Sequence, residues 1–134
     1  MADKKHVLVI DDQDMIRDVI KNVLSQSGYT VVGAANGAAG LKVLAMQQVD
    51  LVITDILMPE MEGIETIIEV RKSHPEIKIM AISGGGRSQN FQPLRIAGKI
   101  GADITLAKPF EAEDLLSAVE KLFAPSRARA TRTS

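Results

Sequence analysis

Asp50-Leu51-Val52-Ile53-Thr54-Asp55-Ile56-Leu57-Met58-Pro59 is an apolar run that ends on a carboxylate and then meets a proline. Leu51 to Ile53, with β-branched Val52, Ile53 and Thr54, reads as a strand buried on both faces, and Pro59 marks a loop soon after it. Asp55 therefore stands at the strand's C-terminal end. In open α/β sheets ligands bind along that edge, which makes a carboxylate there a candidate for a site. Taken alone, Asp55 reads equally well as a residue that merely opens the loop.

The flanking sequence supplies the rest of such a sheet. His6-Val7-Leu8-Val9-Ile10 reads as a first buried strand ending on Asp11 and Asp12. Asp14 is a natural N-cap for a helix whose Met15, Ile16, Val19, Ile20, Val23 and Leu24 recur at helical spacing, and Gly28 stops it. Tyr29 to Ala34 is a second strand. Asn36 caps a helix with Ala38, Leu41, Leu44 and Ala45 on one face, and the strand to Thr54 follows. Gly63 opens a third helix carrying Ile64, Ile67, Ile68 and Val70, which runs out near His74-Pro75 because residues before proline avoid the helical region. Ile77 to Ile82 is a fourth strand finishing at Ser83. Gly84-Gly85-Gly86 then leads to a helix around Phe91 to Ile100, which Pro93 and Gly98 weaken. Ile104 to Ala107 is a short fifth strand delivering Lys108-Pro109-Phe110. A last helix, Glu111 to about Phe123, has Leu115, Leu116, Val119, Leu122 and Phe123 on its inner face.

Strands alternating with helices through short loops specify an α/β fold, a five-stranded parallel sheet covered on both sides. Residues 1–124 make one domain, long enough to bury roughly two-thirds of its unfolded surface. Residues 125–134 hold three arginines and no acid, and are expected to be a disordered, solvated tail. The chain has no cysteine, no apolar run near the ~20 residues of a membrane span, and no signal-peptide core after Met1. A formal net charge of −1 gives no global field toward nucleic acid or membrane, so a cytoplasmic protein without either partner is expected.

Four strand ends thus bring Asp11 and Asp12, Asp55, Ser83 and Lys108 to one sheet edge. A pair of carboxylates about 4 Å apart costs on the order of 4 kcal/mol at an effective dielectric near 20. Lys108 offsets part of that, and a hard divalent cation the rest; oxygen donors suit Mg²⁺. Zinc and copper are disfavoured, with no thiol and with both histidines away from the strand ends. Metal, ammonium and hydroxyl around one aspartate make sense for phosphoryl transfer. Asp55 would attack phosphorus while Mg²⁺, Lys108 and Ser83 meet the equatorial oxygens. If the acids are uncompensated without metal, Asp55→Asn should stabilise the metal-free fold.

Over about residues 5 to 123 the sequence resembles the receiver domain of two-component response regulators. The match runs through Val9-Ile10-Asp11-Asp12, Thr54-Asp55-Ile56-Leu57-Met58-Pro59-Glu60-Met61-Glu62-Gly63, Ala81-Ile82-Ser83 and Ala107-Lys108-Pro109-Phe110, in order and spacing. The resemblance implies a flavodoxin-like fold with strand order 2-1-3-4-5. It implies phosphorylation of Asp55 by a phosphohistidine of a histidine kinase or phosphotransfer protein. Asp12, Asp55 and the backbone carbonyl of Leu57 would ligate Mg²⁺ directly, Asp11 would act through water, and Lys108-Pro109 would be cis. With no output domain in the sequence, the family reading is a stand-alone receiver. Once phosphorylated it would bind a downstream protein through the face of the fourth helix, fifth strand and fifth helix, or serve as a phosphate sink or relay.

The sequence departs from the family pattern in two places. Thr105 stands at the switch position where receivers usually carry Tyr or Phe, and Ser83 to Lys108 is longer than in compact receivers. A threonine is short and stiff at χ1, so the switch is expected to rest on Ser83 and the glycines after it. The rival reading is a phosphatase of the haloacid-dehalogenase type, with Asp12-Gln13-Asp14 as nucleophile and acid. Against it, no acidic metal pair follows Lys108, no cap domain is present, and Asp55 is left without a role. A degenerate receiver serving only as scaffold is disfavoured because every acidic-site residue is present.

Overall fold

The computed structural model describes residues 5–56, 62–83 and 101–124. Five strands, β1 (His6–Ile10), β2 (Thr30–Ala34), β3 (Leu51–Asp55), β4 (Lys78–Ser83) and β5 (Ile104–Ala107), pair in parallel in the order β2-β1-β3-β4-β5. This is the expected fold and order. Helices α1 (Asp14–Gln26), α2 (Gly37–Met46), α3 (Glu62–Ser73) and a C-terminal α4 (Ala112–Leu122) lie among the described residues. The helix expected at 91–100, the three glycines, Leu57 to Pro59 and the tail 125–134 fall outside them.

Strand periodicity divides the core into two layers. Leu8, Ile10, Val52, Ile79 and Ala81 pack with Leu44 of α2 and Ile64, Ile67 and Val70 of α3. The alternate residues Val7, Val9, Leu51, Ile53, Met80 and Ile82 pack with Ile20 and Leu24 of α1 and Leu115, Ala118 and Val119 of α4. Burial on both faces is why β1, β3 and β4 read as unbroken apolar runs. The edge strands β2 and β5 are only partly buried, and Thr105 is exposed.

The helix ends follow their local chemistry, with two corrections. Gly28 takes φ +98° just past α1, and Asn36 accepts the Ala39 N–H at 2.8 Å to cap α2. Asp14, however, lies inside the first turn of α1 rather than capping it. Gln13 holds the cap position without a side-chain bond, while the Asp11 carboxylate accepts the Gln13 N–H at 2.9 Å and Asp14 pairs with Arg17. The buried face of α2 is also not the one expected. Gly37, Gly40 and Leu44 are buried, Leu41 is half-buried, and Ala38 and Ala45 are exposed. A Cβ at Gly40 would stand 2.4 Å from Ile10, so the helix meets β1 at Gly40.

Candidate functional site

The site grows from the three central strands. Asp11 follows β1, Asp55 ends β3 and Ser83 ends β4, and all three are buried, at 2%, 6% and 2% exposure. Carboxylates avoid such burial unless a partner holds them there. That partner arrives from β5: the backbone N–H of Lys108 donates to the Ser83 carbonyl at 2.9 Å, pinning the strand end. Its Nζ then reaches Asp55 Oδ2 at 2.7 Å and Asp11 Oδ2 at 3.4 Å. Lys108-Pro109 is a cis peptide, as the resemblance implied.

Among the described residues one ammonium faces two buried acids, which is not a balanced arrangement. Burial raises the Asp11 carboxyl above the usual carboxylate range, against the Gln13 N–H and the Lys108 charge, which lower it, and with Asp55 adding to the rise. For Lys108 burial works to lower the value, but the hydrogen bond and charge of Asp55, and then those of Asp11, outweigh it and the ammonium is raised. The pair Lys108–Asp55 is the tight one; Asp11 is the acid that the fold holds at a cost.

Two further features fix the main chain that carries these side chains, and neither was among the residues singled out from sequence as forming the site. Gly63 lies where an added Cβ would come within 2.2 Å of the Asp55 carbonyl oxygen and 2.4 Å of Ile56 Cα, so α3 closes on the end of β3 only because residue 63 has no side chain. The signal was present, a glycine eight residues after Asp55, but periodicity assigned it only to a helix start. Arg17 of α1 donates to the Asp11 carbonyl at 2.7 Å.

Of the residues expected to form the site, Asp11, Asp55 and Lys108 are in contact, and Ser83 stands beside them at the neighbouring strand end. Asp12 is exposed, next in chain to Asp11. Leu57 lies outside the described residues. Among the described residues no three acids or histidines close up into a ready-made metal group. The Lys108 ammonium lies against both buried carboxylates instead. The donor chemistry nevertheless fits a hard divalent cation: oxygen donors in excess of positive charge, with His6 at the start of β1 and His74 beyond α3, away from the acids. No described helix is long and apolar enough to cross a membrane.

Residues 7–120 match the family model of the response regulator receiver domain. The chain is 36% identical over 120 residues to the chemotaxis protein CheY of Thermotoga maritima, covering 88% of this chain and 97% of that protein. It is 35% identical over 118 residues to the sensor kinase CckA of Brucella abortus, where it covers 87% of this chain and spans only 12% of the relative. Among solved structures, a CheY-like receiver domain protein from Methanospirillum hungatei superposes with a TM-score of 0.80 at 30% identity, covering 89% of this chain and 93% of the other.

Proposed function

The chain belongs to the response regulator receiver domain family, a family of signalling modules, and on that premise we propose that Asp55 is its phosphoacceptor. The observation that carries the reading is the 2.7 Å bond from Lys108 to a buried Asp55 at the C-terminal edge of the sheet. In the reaction an Asp55 carboxylate oxygen bonds to the phosphorus of a partner's phosphohistidine as the P–N bond breaks and the imidazole leaves. Lys108 follows the transferring group, exchanging a carboxylate oxygen for a phosphoryl oxygen without crossing the site. The Ser83 hydroxyl is assigned to a second phosphoryl oxygen.

Asp11, Asp12, Asp55 and the Leu57 carbonyl are the residues that would hold Mg²⁺. When bound it neutralises charge on the acids and on the phosphoryl oxygens. The partners consistent with this chemistry are a histidine kinase or phosphotransfer protein as donor, and a downstream protein reading the face that includes β5 and α4. Cytoplasmic location is part of the same proposal.

Incubation with acetyl phosphate should add one phosphoryl group to the intact protein only with Mg²⁺, and none to Asp55→Asn. Undiminished uptake by the variant would refute the assignment. Ser83→Ala should still be labelled but lose the effect of beryllofluoride on the amide signals of β5, whereas Thr105→Ala should keep both. The reverse pattern would move the switch from Ser83 to Thr105.

A further inference from the structure

Arg17 has a position that the chemistry above does not use. Its Nη1 donates to the main-chain carbonyl of Asp11 at 2.7 Å, and its Nη2 pairs with the carboxylate of Asp14. The stem lies across β2, where a Cβ at Gly33 would come within 3.5 Å of Arg17 Cδ and 3.6 Å of Nε. The side chain is only 19% exposed, held by the strand on one side and its own helix on the other. A planar guanidinium so fixed offers its N–H groups in set directions, which a lysine ammonium cannot reproduce.

The carbonyl it holds belongs to the peptide plane joining Asp11 to Asp12. The Asp11 residue is already tied at three other points, its N–H donating to the Ala34 carbonyl at 3.1 Å, its Oδ1 accepting the Gln13 N–H at 2.9 Å and its Oδ2 accepting from Lys108 Nζ at 3.4 Å. Asp12 is different: it is exposed, and core packing does not orient it. The orientation of that one peptide plane therefore sets where the Asp12 carboxylate begins. The Asp14 carboxylate next to the guanidinium offsets its charge, so Arg17 can act on the loop without adding a free cation beside a cation site.

We propose that Arg17 is a positioning residue that aims Asp12 at the metal position by holding the Asp11–Asp12 peptide plane. The inference rests on the reading of Asp11, Asp12 and Asp55 as the Mg²⁺ ligands. Groups that orient a metal ligand typically contribute 10- to 100-fold in affinity. Arg17→Met keeps the stem over Gly33 and removes the donors; Arg17→Lys also keeps the charge.

The test is calorimetric titration of the whole chain with Mg²⁺, alongside thermal melts in EDTA. Arg17→Met is expected to weaken Mg²⁺ binding by about tenfold or more, and Arg17→Lys by a similar factor, since neither restores the guanidinium geometry. A purely structural role would lower the EDTA melt and leave the dissociation constant of the folded variant alone. A constant within about twofold of wild type in either folded variant, against the tenfold scale for lost ligand positioning, overturns the assignment. Asp12→Asn separates the two levels. If it loses Mg²⁺ and the Arg17 variants do not, only Arg17 is misassigned; if it binds as wild type does, the metal reading falls and this inference with it.

Discussion

Two cations sit at opposite edges of the same sheet, Arg71 where the strands begin and Lys108 where they end. Arg71 donates to the carbonyls of Gly101 at 2.6 Å, Pro75 at 2.7 Å and Ile77 at 2.9 Å, and to the Asp103 carboxylate at 2.8 Å. The same Asp103 oxygen accepts the Ile79 N–H at 2.8 Å. One cation and one acid close that network. At the other edge, among the described residues, one ammonium faces two buried acids, and burial lifts the carboxyl of one of them. The first edge ties α3, β4 and the entry to β5 into one body. The second, among the described residues, keeps negative charge in surplus, which a divalent cation would offset and which folding alone does not require.

Substitutions should therefore act in opposite directions at the two edges. The largest effect is expected at the closed one. Arg71→Met strands several carbonyls and the Asp103 carboxylate, and should lower stability in urea by about 2–4 kcal/mol. A loss under about 0.5 kcal/mol, the scale of an ordinary surface change, would mean that edge is not a brace.

At the open edge, removing an acid should help. Asn in place of Asp11 can still accept the Gln13 N–H, and Lys108 keeps Asp55, its nearer partner. Asp11→Asn is expected to stabilise the metal-free protein by on the order of 1 kcal/mol at neutral pH, read from EDTA melts. Sequence alone placed that relief at Asp55→Asn. The Lys108 bond to Asp55 moves it to Asp11, because losing Asp55 also loses the tight ion pair. A destabilised Asp11→Asn in EDTA would remove the argument from surplus charge.

The smallest effect is in pH. A carboxyl raised in the folded state binds more protons folded than unfolded, so stability falls as pH rises from the ordinary carboxylate pKa through the raised one. The advantage of Asp11→Asn over wild type should thus be full above that window and vanish below it. Lys108 is also raised, so its contribution is present below the ordinary lysine pKa and lost as pH climbs through the higher folded value. An Asp11→Asn advantage that persists unchanged into acid would assign it to packing instead.

What was legible in the sequence follows the same division. Strands buried on both faces announce themselves as apolar runs, so β1, β3 and β4 and the residues at their ends, Asp11, Asp55 and Ser83, are legible in the sequence; β5, an edge strand, is marked by its short apolar run and by the Lys108-Pro109 that follows it. Contacts across space could not. Arg17 and Arg71 belong to polar helical positions that periodicity treats as surface, and their acceptors are mostly main-chain carbonyls, which carry no sequence mark. The face of α2 was misread because Gly37 and Gly40 count as blanks in an apolar pattern, though absence of a side chain is what lets the helix approach Ile10. Asp14 takes the cap position in a reading by residue type, whereas the turn is made by the Asp11 carboxylate, two residues before the cap residue Gln13.

The surplus of charge matters only if the phosphoryl group goes to the acid that Lys108 holds. Protein treated with acetyl phosphate and Mg²⁺, reduced with borohydride and mapped by peptide mass spectrometry, reads that directly. The account predicts reduction at Asp55 alone, to homoserine, with Asp11 and Asp12 untouched. Reduction at Asp12 in place of Asp55 would contradict it, and would favour the haloacid-dehalogenase arrangement in which Asp12 is the nucleophile.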